Sequence, residues 1–157
     1  MNKPNPQIDK EFSNFVGSKV SLVQRSIGCM FFIEFGKLNS IGKKRNGKEM
    51  LRGEFGLLVE GANWKLNVAG ATVVKSTSLL ELIDSGLKTI LGAMLVEMDL
   101  SKRRLLVRFD KNRSIEISNS SREFDLAGSS LDSWCIFKNA EVLLIADGKG
   151  KFEYTDR

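Results

Sequence analysis

The sequence predicts a mainly β fold with short helices (α+β), in which two pseudo-repeats are fused in one antiparallel β-sandwich or curled sheet. The first observation is an internal echo: Gly17, Val20, Val23, Phe35 and Trp64 recur in order as Gly92, Leu95, Met98, Phe109 and Trp134. The second is that an extended apolar run follows each glycine. The third is length, because 157 residues suffice for one domain whereas neither half can cover its own sheet edges. We therefore expect a single domain over residues 1–157, built of units at about 8–76 and 77–154.

Each unit opens with a short predicted helix, because a glycine just past a helix end can take the left-handed conformation that closes it. Phe12, Phe15 and Val16 precede Gly17 as Leu87, Ile90 and Leu91 precede Gly92. Ser78 and Glu81 have the spacing of a capping box at the start of the second helix. The apolar stripe of that helix comprises Leu79, Leu82, Ile83, Leu87 and Ile90. The segment Met1–Gln7 contains both prolines and is expected to be a loose arm.

Predicted strands follow in the same order in both units. Residues 20–23 and 31–35 form one antiparallel hairpin, and residues 95–98 and 105–109 form its counterpart. Glu34 and Arg108 alternate with apolar neighbours, as expected on the solvent side of a half-buried strand. Residues 55–59 correspond to 114–117, the strand at Trp64 to that at Trp134, and residues 73–74 to 142–145. Both tryptophans are interpreted as core residues, together with Phe31, Phe32, Phe35 and Phe55.

The composition disfavours catalysis. The chain has no histidine, which removes the commonest general base, the Ser-His and Cys-His nucleophile pairs and the usual nitrogen ligand of zinc. Asp125 and Asp132 could in principle serve hydrolytic chemistry, although solvated loop charges are the simpler interpretation. We therefore expect no catalytic residue, no cofactor, no metal site and no enzymatic activity.

A glycine-rich segment, Asp147-Gly148-Lys149-Gly150-Lys151, superficially resembles a phosphate-binding loop. A phosphate loop needs G-x-x-x-x-G-K-[S/T] between a strand and a helix. Here residues 152–154 are typical of another strand, so the segment predicts a hairpin turn instead.

The compartment is inferred from what the sequence lacks. No apolar run reaches transmembrane length, and the first residues lack the apolar centre of a signal peptide. Cys29 and Cys135 occupy non-equivalent, apolar, strand-like positions, so buried reduced thiols are favoured over a disulfide. We therefore expect a cytoplasmic protein with no membrane partner.

The charge distribution is the one feature of the sequence that indicates a specific function. Between residues 37 and 53, six basic residues stand against one acidic residue, Glu49, so this insertion accounts for the net charge of +5. The basic residues are Lys37, Lys43, Lys44, Arg45, Lys48 and Arg52. Such a segment attracts nucleic-acid phosphates, an anionic membrane surface or an acidic protein face. A solvated hairpin tip is the alternative, because residues 39–42 and 46–47 are typical of turns. A second insertion, residues 118–133, is the other candidate for a functional loop.

Over roughly residues 8–154, the repeated order of glycine, aliphatic run ending in phenylalanine, strand and tryptophan resembles small uncharacterised bacterial proteins of two-unit, β-rich build. Some of those proteins are regarded as toxin-immunity proteins. The resemblance implies a cytosolic protein that neutralises a toxin by binding it. Inhibitors of basic nucleases are expected to be acidic, so a toxin bound by this basic chain should present an acidic patch or a largely apolar contact face.

We therefore predict a non-catalytic protein-binding module, most concretely an immunity-type protein. The predicted partner-binding residues are Lys43, Lys44, Arg45, Lys48 and Arg52. The alternative is non-specific nucleic-acid binding through the basic loop 37–53, although that loop contains no aromatic residue on which bases could stack. An enzyme would need carboxylates from both units to converge in a cleft. The identity of the partner and the oligomeric state stay open at this point.

Overall fold

The computed structural model describes residues 6–121, 131–149 and 151–155. Within these ranges the chain forms two α-helices and thirteen β-strands. The first half contains α1 (Pro6–Phe15), β1 (Val20–Arg25), β2 (Phe31–Phe35), β3 (Asn39–Lys43), β4 (Glu49–Arg52), β5 (Phe55–Val59), β6 (Ala62–Val68) and β7 (Ala71–Lys75). The second half contains α2 (Leu80–Lys88), β8 (Leu95–Leu100), β9 (Arg104–Phe109), β10 (Arg113–Ser121), β11 (Trp134–Lys138), β12 (Glu141–Ala146) and β13 (Phe152–Tyr154).

The strands form two large antiparallel sheets and one separate hairpin. The first sheet has the order β1-β2-β5-β11-β12-β13, and the second has the order β7-β6-β10-β9-β8. The inward side chains of both sheets belong to one hydrophobic core, which includes Phe31, Leu57, Leu66, Leu105 and Trp134. The predicted fold class is confirmed, because the described chain is mainly β, carries two short helices and buries its apolar residues between antiparallel sheets.

The two halves of the chain exchange their last strands. β5 of the first half pairs with β11 of the second, and β10 of the second half pairs with β6 of the first. The first sheet therefore holds three strands of the first half followed by β11, β12 and β13 of the second, and the second sheet holds three strands of the second half followed by the hairpin β6–β7 of the first. Each half completes the sheet of the other, so the core depends on contacts between residues that are distant in the sequence.

The two sheets also meet where β1 and β8 begin, through an isolated antiparallel bridge. The hydrogen bonds there are reciprocal. The main-chain N–H of Gly17 donates to the carbonyl oxygen of Leu95 at 2.8 Å, and that of Gly92 donates to Val20 at 2.9 Å. Both glycines have a left-handed φ, +91° and +81°, as the sequence predicts. The echoed residues thus occupy matching places on the two sides of this junction.

The two tryptophans occupy matching positions as well. Trp64 lies on β6 of the second sheet, and its indole N–H donates a 3.0 Å hydrogen bond to the carbonyl of Cys29, in the β1–β2 loop of the first sheet. Trp134 lies on β11 of the first sheet and donates at 3.0 Å to the side chain of Asn119. Asn119 in turn donates to the carbonyl of Ser101, in the β8–β9 loop of the second sheet. Both indoles are buried, which confirms their prediction as core residues.

The prediction that the phenylalanines near the basic insertion are core residues is only partly confirmed. Phe31, Phe35 and Phe55 are buried, and the rings of Phe35 and Phe55 stack with a centroid distance of 4.4 Å. The prediction is wrong for Phe32, which alternates to the outer face of the first sheet and is half-buried there. α1 is anchored to this cluster, because Phe15 stacks on the other side of Phe55 at 3.9 Å.

The start of α1 corrects the expected loose arm, of which residues 1–5 lie outside the described residues. The helix begins at Pro6, because proline has no N–H to leave unpaired in the first turn and its φ suits a helix. Ile8, Phe12 and Phe15 form its buried stripe.

The predicted capping box of α2 is wrong. The helix is capped at Leu79 without a side-chain hydrogen bond, and the Ser78 hydroxyl instead accepts the main-chain N–H of Lys75 at 3.0 Å. That bond closes the turn between β7 and α2, so the Ser78 side chain stabilises this turn and does not cap the helix. The predicted apolar stripe is confirmed for Ile83 and Leu87, and Leu79 and Leu82 are exposed. Ile90 is buried as well, but it lies in the turn after the helix, which ends at Lys88.

The segment after β12 is a hairpin turn, as predicted. The carboxylate of Asp147 accepts the main-chain N–H groups of Lys149 and Lys151 at 2.8 and 3.1 Å. β13 follows and pairs antiparallel with β12, so no helix stands where a phosphate loop would require one.

Candidate functional site

The basic insertion forms a β-hairpin, β3–β4, which among the described residues pairs with no other strand. Its turn is closed by two main-chain bonds, from Lys44 N–H to Lys48 at 2.8 Å and from Gly47 N–H to Lys44 at 2.9 Å. Asn46 accepts the N–H of Lys48 at 3.0 Å, and Gly47 has a φ of +80°. Of the predicted turn residues, Asn46 and Gly47 therefore build the hairpin tip, residues 43–48, whereas the prediction is wrong for residues 39–42, which belong to the strand β3.

Four of the five predicted partner-binding residues come together on this tip. Lys43, Lys44, Arg45 and Lys48 are all exposed, and none forms an ion pair with a carboxylate in the part of the chain that the structure describes. Glu49 stands opposite Lys43 in the strand register but is not within ion-pair distance. The tip is therefore a cluster of cations whose charge is left for solvent or a partner.

The fifth residue, Arg52, lies at the base of the hairpin and has a different role. Its guanidinium donates a 2.7 Å hydrogen bond to one carboxylate oxygen of Glu34 and lies over the rings of Phe32 and Phe137, at 6.0 and 5.5 Å from their centroids. The other oxygen of Glu34 accepts the main-chain N–H of Gly53 at 3.0 Å. We call Glu34, Arg52 and Gly53 the hairpin root.

Two glycines make space for the hairpin root. A Cβ atom at Gly56 would lie 2.6 Å from a carboxylate oxygen of Glu34, and one at Gly53 would lie 2.3 Å from the carbonyl oxygen of Phe35. Glu34 is 2 % exposed, although its alternation with apolar neighbours placed it on the solvent side. It does lie on the outer face of the first sheet, where it pairs with Arg52, whose guanidinium also lies over the ring of Phe137.

The outer face of the first sheet continues as an apolar row beside the hairpin root. Phe32, Leu58, Cys135 and Ile145 are successive register partners across β2, β5, β11 and β12. Cys135 is buried and the other three are half-buried. An apolar row therefore borders the base of the charged hairpin, so a partner seated there could contact both.

Carboxylates adjoin the far end of this row. Burial raises the pKa of Glu60, and the charge of Asp132 raises it further. The pKa of Asp132 is raised by burial and by the charges of Asp147 and Glu153. Burial, with the charges of Glu60 and Asp132, raises the pKa of the Cys135 thiol to about 12. Cys135 is therefore a protonated, unreactive thiol at neutral pH, and neither cysteine forms a disulfide.

Of the two aspartates singled out for catalysis, Asp132 lies close enough to Glu60, Asp147 and Glu153 for their charges to interact. Asp125 lies outside the described residues, and residues 122–130 of the second insertion lie outside them too. Among the residues that are described, no group of three or more histidine, cysteine or acidic residues could hold a metal ion. Neither α1 nor α2 is long and apolar enough to span a bilayer, and the described chain has no other helix.

The hairpin root was missed by reasoning from the sequence. A glutamate within an aromatic strand, Phe31-Phe32-Ile33-Glu34-Phe35, was the available signal, together with Gly53, which lies between β4 and β5, and Gly56 on β5. Comparison with known proteins adds no further guide. No protein-family model matches the chain, and neither a curated protein nor a solved structure matches it.

Proposed function

We propose that this protein is a non-catalytic binding module whose hairpin tip engages an acidic face of a protein partner. The observation that carries the proposal is the contrast along one hairpin. Arg52 at the root is bound to buried Glu34, whereas the four cations of the tip, Lys43, Lys44, Arg45 and Lys48, have no carboxylate partner among the described residues. A charge cluster on a fixed base loses less conformational freedom on binding than one on a mobile loop.

The most concrete form of this proposal is an immunity-type protein that neutralises a bacterial toxin by direct binding. The resemblance of the repeated sequence pattern to such proteins supports it. The row of Phe32, Leu58 and Ile145 beside the root supplies half-buried apolar surface of the kind found at the centre of protein interfaces, with the charged tip as its rim.

The first test is a pull-down from nuclease-treated lysate of the source organism, read by mass spectrometry. Wild type is compared with a charge-reversed tip carrying Lys43→Glu, Lys44→Glu and Arg45→Glu. The matched control reverses three exposed lysines elsewhere, Lys10, Lys19 and Lys88. We expect one stoichiometric protein with wild type and with the control, and its loss with the reversed tip.

A captured partner allows a kinetic test. Charge complementarity at a rim acts mainly on association, so the reversed tip should associate at least about tenfold more slowly, and its rate should depend less on salt. Equal association rates for wild type and the reversed tip would contradict the assignment of the tip as the contact.

Nucleic acid is the competing occupant of the same tip. The hairpin lacks an aromatic side chain between residues 37 and 53, which speaks against a stacking platform for single strands. Fluorescence anisotropy with single- and double-stranded oligonucleotides at low salt tests whether the hairpin tip binds nucleic acid. Tight binding that falls steeply as salt rises, and that is lost in the reversed tip, would replace the protein partner with nucleic acid.

A further inference from the structure

A cleft of about 450 Å³ opens on the outer face of the second sheet. We call it the second-sheet cleft. Four basic side chains and one acidic side chain line it: Lys65, Lys75, Arg103, Arg104 and Glu116. Its volume lies within the range of sites that hold small organic ligands.

A β-bulge creates the cleft. β10 and β6 are in register at Ile117 and Trp64, and again at Ser121 and Ala62, so β10 has additional residues between these points. Within the bulge the hydroxyl of Ser118 accepts the main-chain N–H of Ser120 at 3.1 Å, and the side chain of Asn119 is buried. Bulges of this kind re-aim side chains and interrupt strand pairing next to binding sites.

The core holds both walls of the cleft in place. On one side, the main-chain N–H of Asn119 donates to the carbonyl of Arg103 at 2.9 Å, and the Asn119 side chain is itself bound to buried Trp134. On the other side, the N–H of Ser76 donates to the carbonyl of Trp64 at 2.9 Å, and the Ser76 hydroxyl accepts the Trp64 N–H at 3.2 Å. The backbones that carry Arg103 and Lys75 are thus fixed before any ligand binds.

The charges in the cleft are unbalanced. Glu116 forms ion pairs with Lys65, at 3.0 Å, and with Arg104. Burial alone would raise the pKa of Glu116, but the hydrogen bond and charge of Lys65, with the charge of Arg104, outweigh it and lower that pKa. Lys75 and Arg103 are exposed and form no ion pair with the carboxylates of the described residues. The four cations therefore exceed the single carboxylate by three charges.

The basic residues farther from the cleft on the same face are paired, including Arg113, which pairs with Asp110 at 3.1 Å. Farther along the same face, Arg108 pairs with Glu97 at 3.4 Å, and Asp99 and Leu106 continue the row from Glu116. A nucleic-acid backbone would need a continuous basic track. A discrete anion fits this arrangement better, and a phosphate monoester fits best, because it carries nearly two charges and several acceptor oxygens.

We propose that the second-sheet cleft binds a small organic phosphate monoester, with Lys75 and Arg103 engaging the phosphate oxygens. The hydroxyls of Ser76 and Thr77 and the amide of Asn63, which also line the cleft, supply hydrogen bonds to the rest of the ligand. This site is independent of the hairpin tip, so either assignment can fail without the other.

The test is a titration of ¹⁵N-labelled protein with phenyl phosphate, adenosine monophosphate, inorganic phosphate and adenosine, followed by amide chemical shifts. We expect saturable shifts centred on residues 63–65, 75–77 and 103–104 with the two organic phosphates. Inorganic phosphate should bind more weakly, and adenosine should produce no saturable shift. Equal affinity for inorganic phosphate, or shifts spread over all basic surfaces, would overturn the proposal.

Matched variants complete the test. Lys75→Gln with Arg103→Gln removes one lysine and one arginine from the cleft, and Lys43→Gln with Arg45→Gln removes the same two types from the hairpin tip. We expect the cleft variant to bind phenyl phosphate at least about tenfold more weakly, since charge-assisted hydrogen bonds are lost, and the tip variant to bind it like wild type. An equal loss in both variants would show attraction by net charge alone and would overturn the site. Unchanged thermal unfolding verifies that each variant is folded.

Discussion

Arg52 reaches back from the base of the β3–β4 hairpin to the carboxylate of Glu34, which is 2 % exposed on the strand β2. The pair spans 2.7 Å and is completed by the main-chain N–H of Gly53. Breaking a buried ion pair leaves unpaired polar groups behind, whereas forming it adds little net stability. Its main consequence is therefore positional: it fixes the direction in which the hairpin leaves the first sheet.

Replacing Glu34 should loosen the hairpin. Glu34→Ala leaves the guanidinium of Arg52 and the N–H of Gly53 without their acceptor, and we expect the free energy of unfolding to fall by about 2 kcal/mol, because Arg52 remains partly hydrated. Glu34→Gln keeps an acceptor and should cost about half as much. Urea denaturation measures both. Hydrogen exchange of the β3–β4 amides should accelerate more than that of β5.

The control for this variant is Glu49→Ala on the same hairpin. Glu49 is exposed and forms no ion pair within the described residues, so its removal should change stability by less than about 0.5 kcal/mol. Equal effects of Glu34→Ala and Glu49→Ala would contradict the role of the hairpin root.

Gly86 is a second position where the absence of a side chain matters. It lies inside α2, where alanine would ordinarily stabilise the helix by about 1 kcal/mol. A Cβ atom at this site would stand 2.6 Å from a methyl group of Val74, which is buried on β7 and stiff at χ1. We therefore expect Gly86→Ala to destabilise the protein by about 1–3 kcal/mol through overpacking.

A double-mutant cycle distinguishes this overpacking from a change in the helix itself. A Val74→Ala background removes the methyl group at 2.6 Å and leaves the Cβ of residue 74 at 3.2 Å as the nearest atom, so Gly86→Ala should be much less destabilising there. Thermal or urea unfolding of the four proteins gives the coupling energy. The same destabilisation by Gly86→Ala in both backgrounds would rule out the contact with Val74 as its cause.

Much of the fold could be predicted because its signals are local. The alternation in residues 31–35 and 105–109 identifies two strands, and the left-handed Gly17 follows the end of α1 closely. Gly92 is left-handed too, but α2 already ends at Lys88, with Thr89 as its C-cap. The tryptophans follow at matching places and are buried. Each of these features depends on neighbours within a few residues, which is the range over which periodicity carries information.

The exchange of β6–β7 and β11–β12 could not be predicted in this way. Alternation specifies which face of a strand is buried, but it is the same whether β6 pairs with β5 or with β10. The hairpin root was missed for a related reason. Glu34 has the alternation of a solvent-facing residue, and its burial depends on Arg52 folding back over it. At the hairpin tip, by contrast, local clustering in the sequence identified Lys43, Lys44 and Arg45, three cations that the structure brings together with Lys48.

The raised carboxylate pKa values predict that Asp132→Asn increases the stability of the protein in a pH-dependent way. The folded state holds the pKa values of Asp132 and Glu60 above their unfolded values, so the folded protein is destabilised when these groups are ionised. This destabilisation is complete above the folded pKa and disappears as the pH falls through the folded pKa. Asp132→Asn should therefore stabilise the protein at pH 7, by less than about 1 kcal/mol since the group is partly solvated. The gain should shrink toward pH 4.

Urea unfolding at several pH values measures this difference, and a titration followed by NMR should show a lower pKa for Glu60 in the variant. Asp99→Asn is the control, because Asp99 is an exposed aspartate on the second sheet, and we expect no comparable gain. A stabilisation by Asp132→Asn that grows as the pH falls would have the wrong sign and would contradict the assignment.

The thiol of Cys135 should be alkylated much more slowly in the native protein than in the unfolded protein. Its pKa of about 12 leaves roughly one thiol in ten thousand ionised at pH 8, whereas an unfolded cysteine with a pKa near 8.5 is about one quarter ionised. Only the thiolate attacks iodoacetamide, so native Cys135 should be alkylated on the order of a thousandfold more slowly than in urea, and burial slows it further. Peptide mapping by mass spectrometry reads Cys135 separately from Cys29. Rapid alkylation of Cys135 in the native protein would show that β11 opens readily and that the apolar row beside the hairpin root is not the packed surface on which a partner could seat.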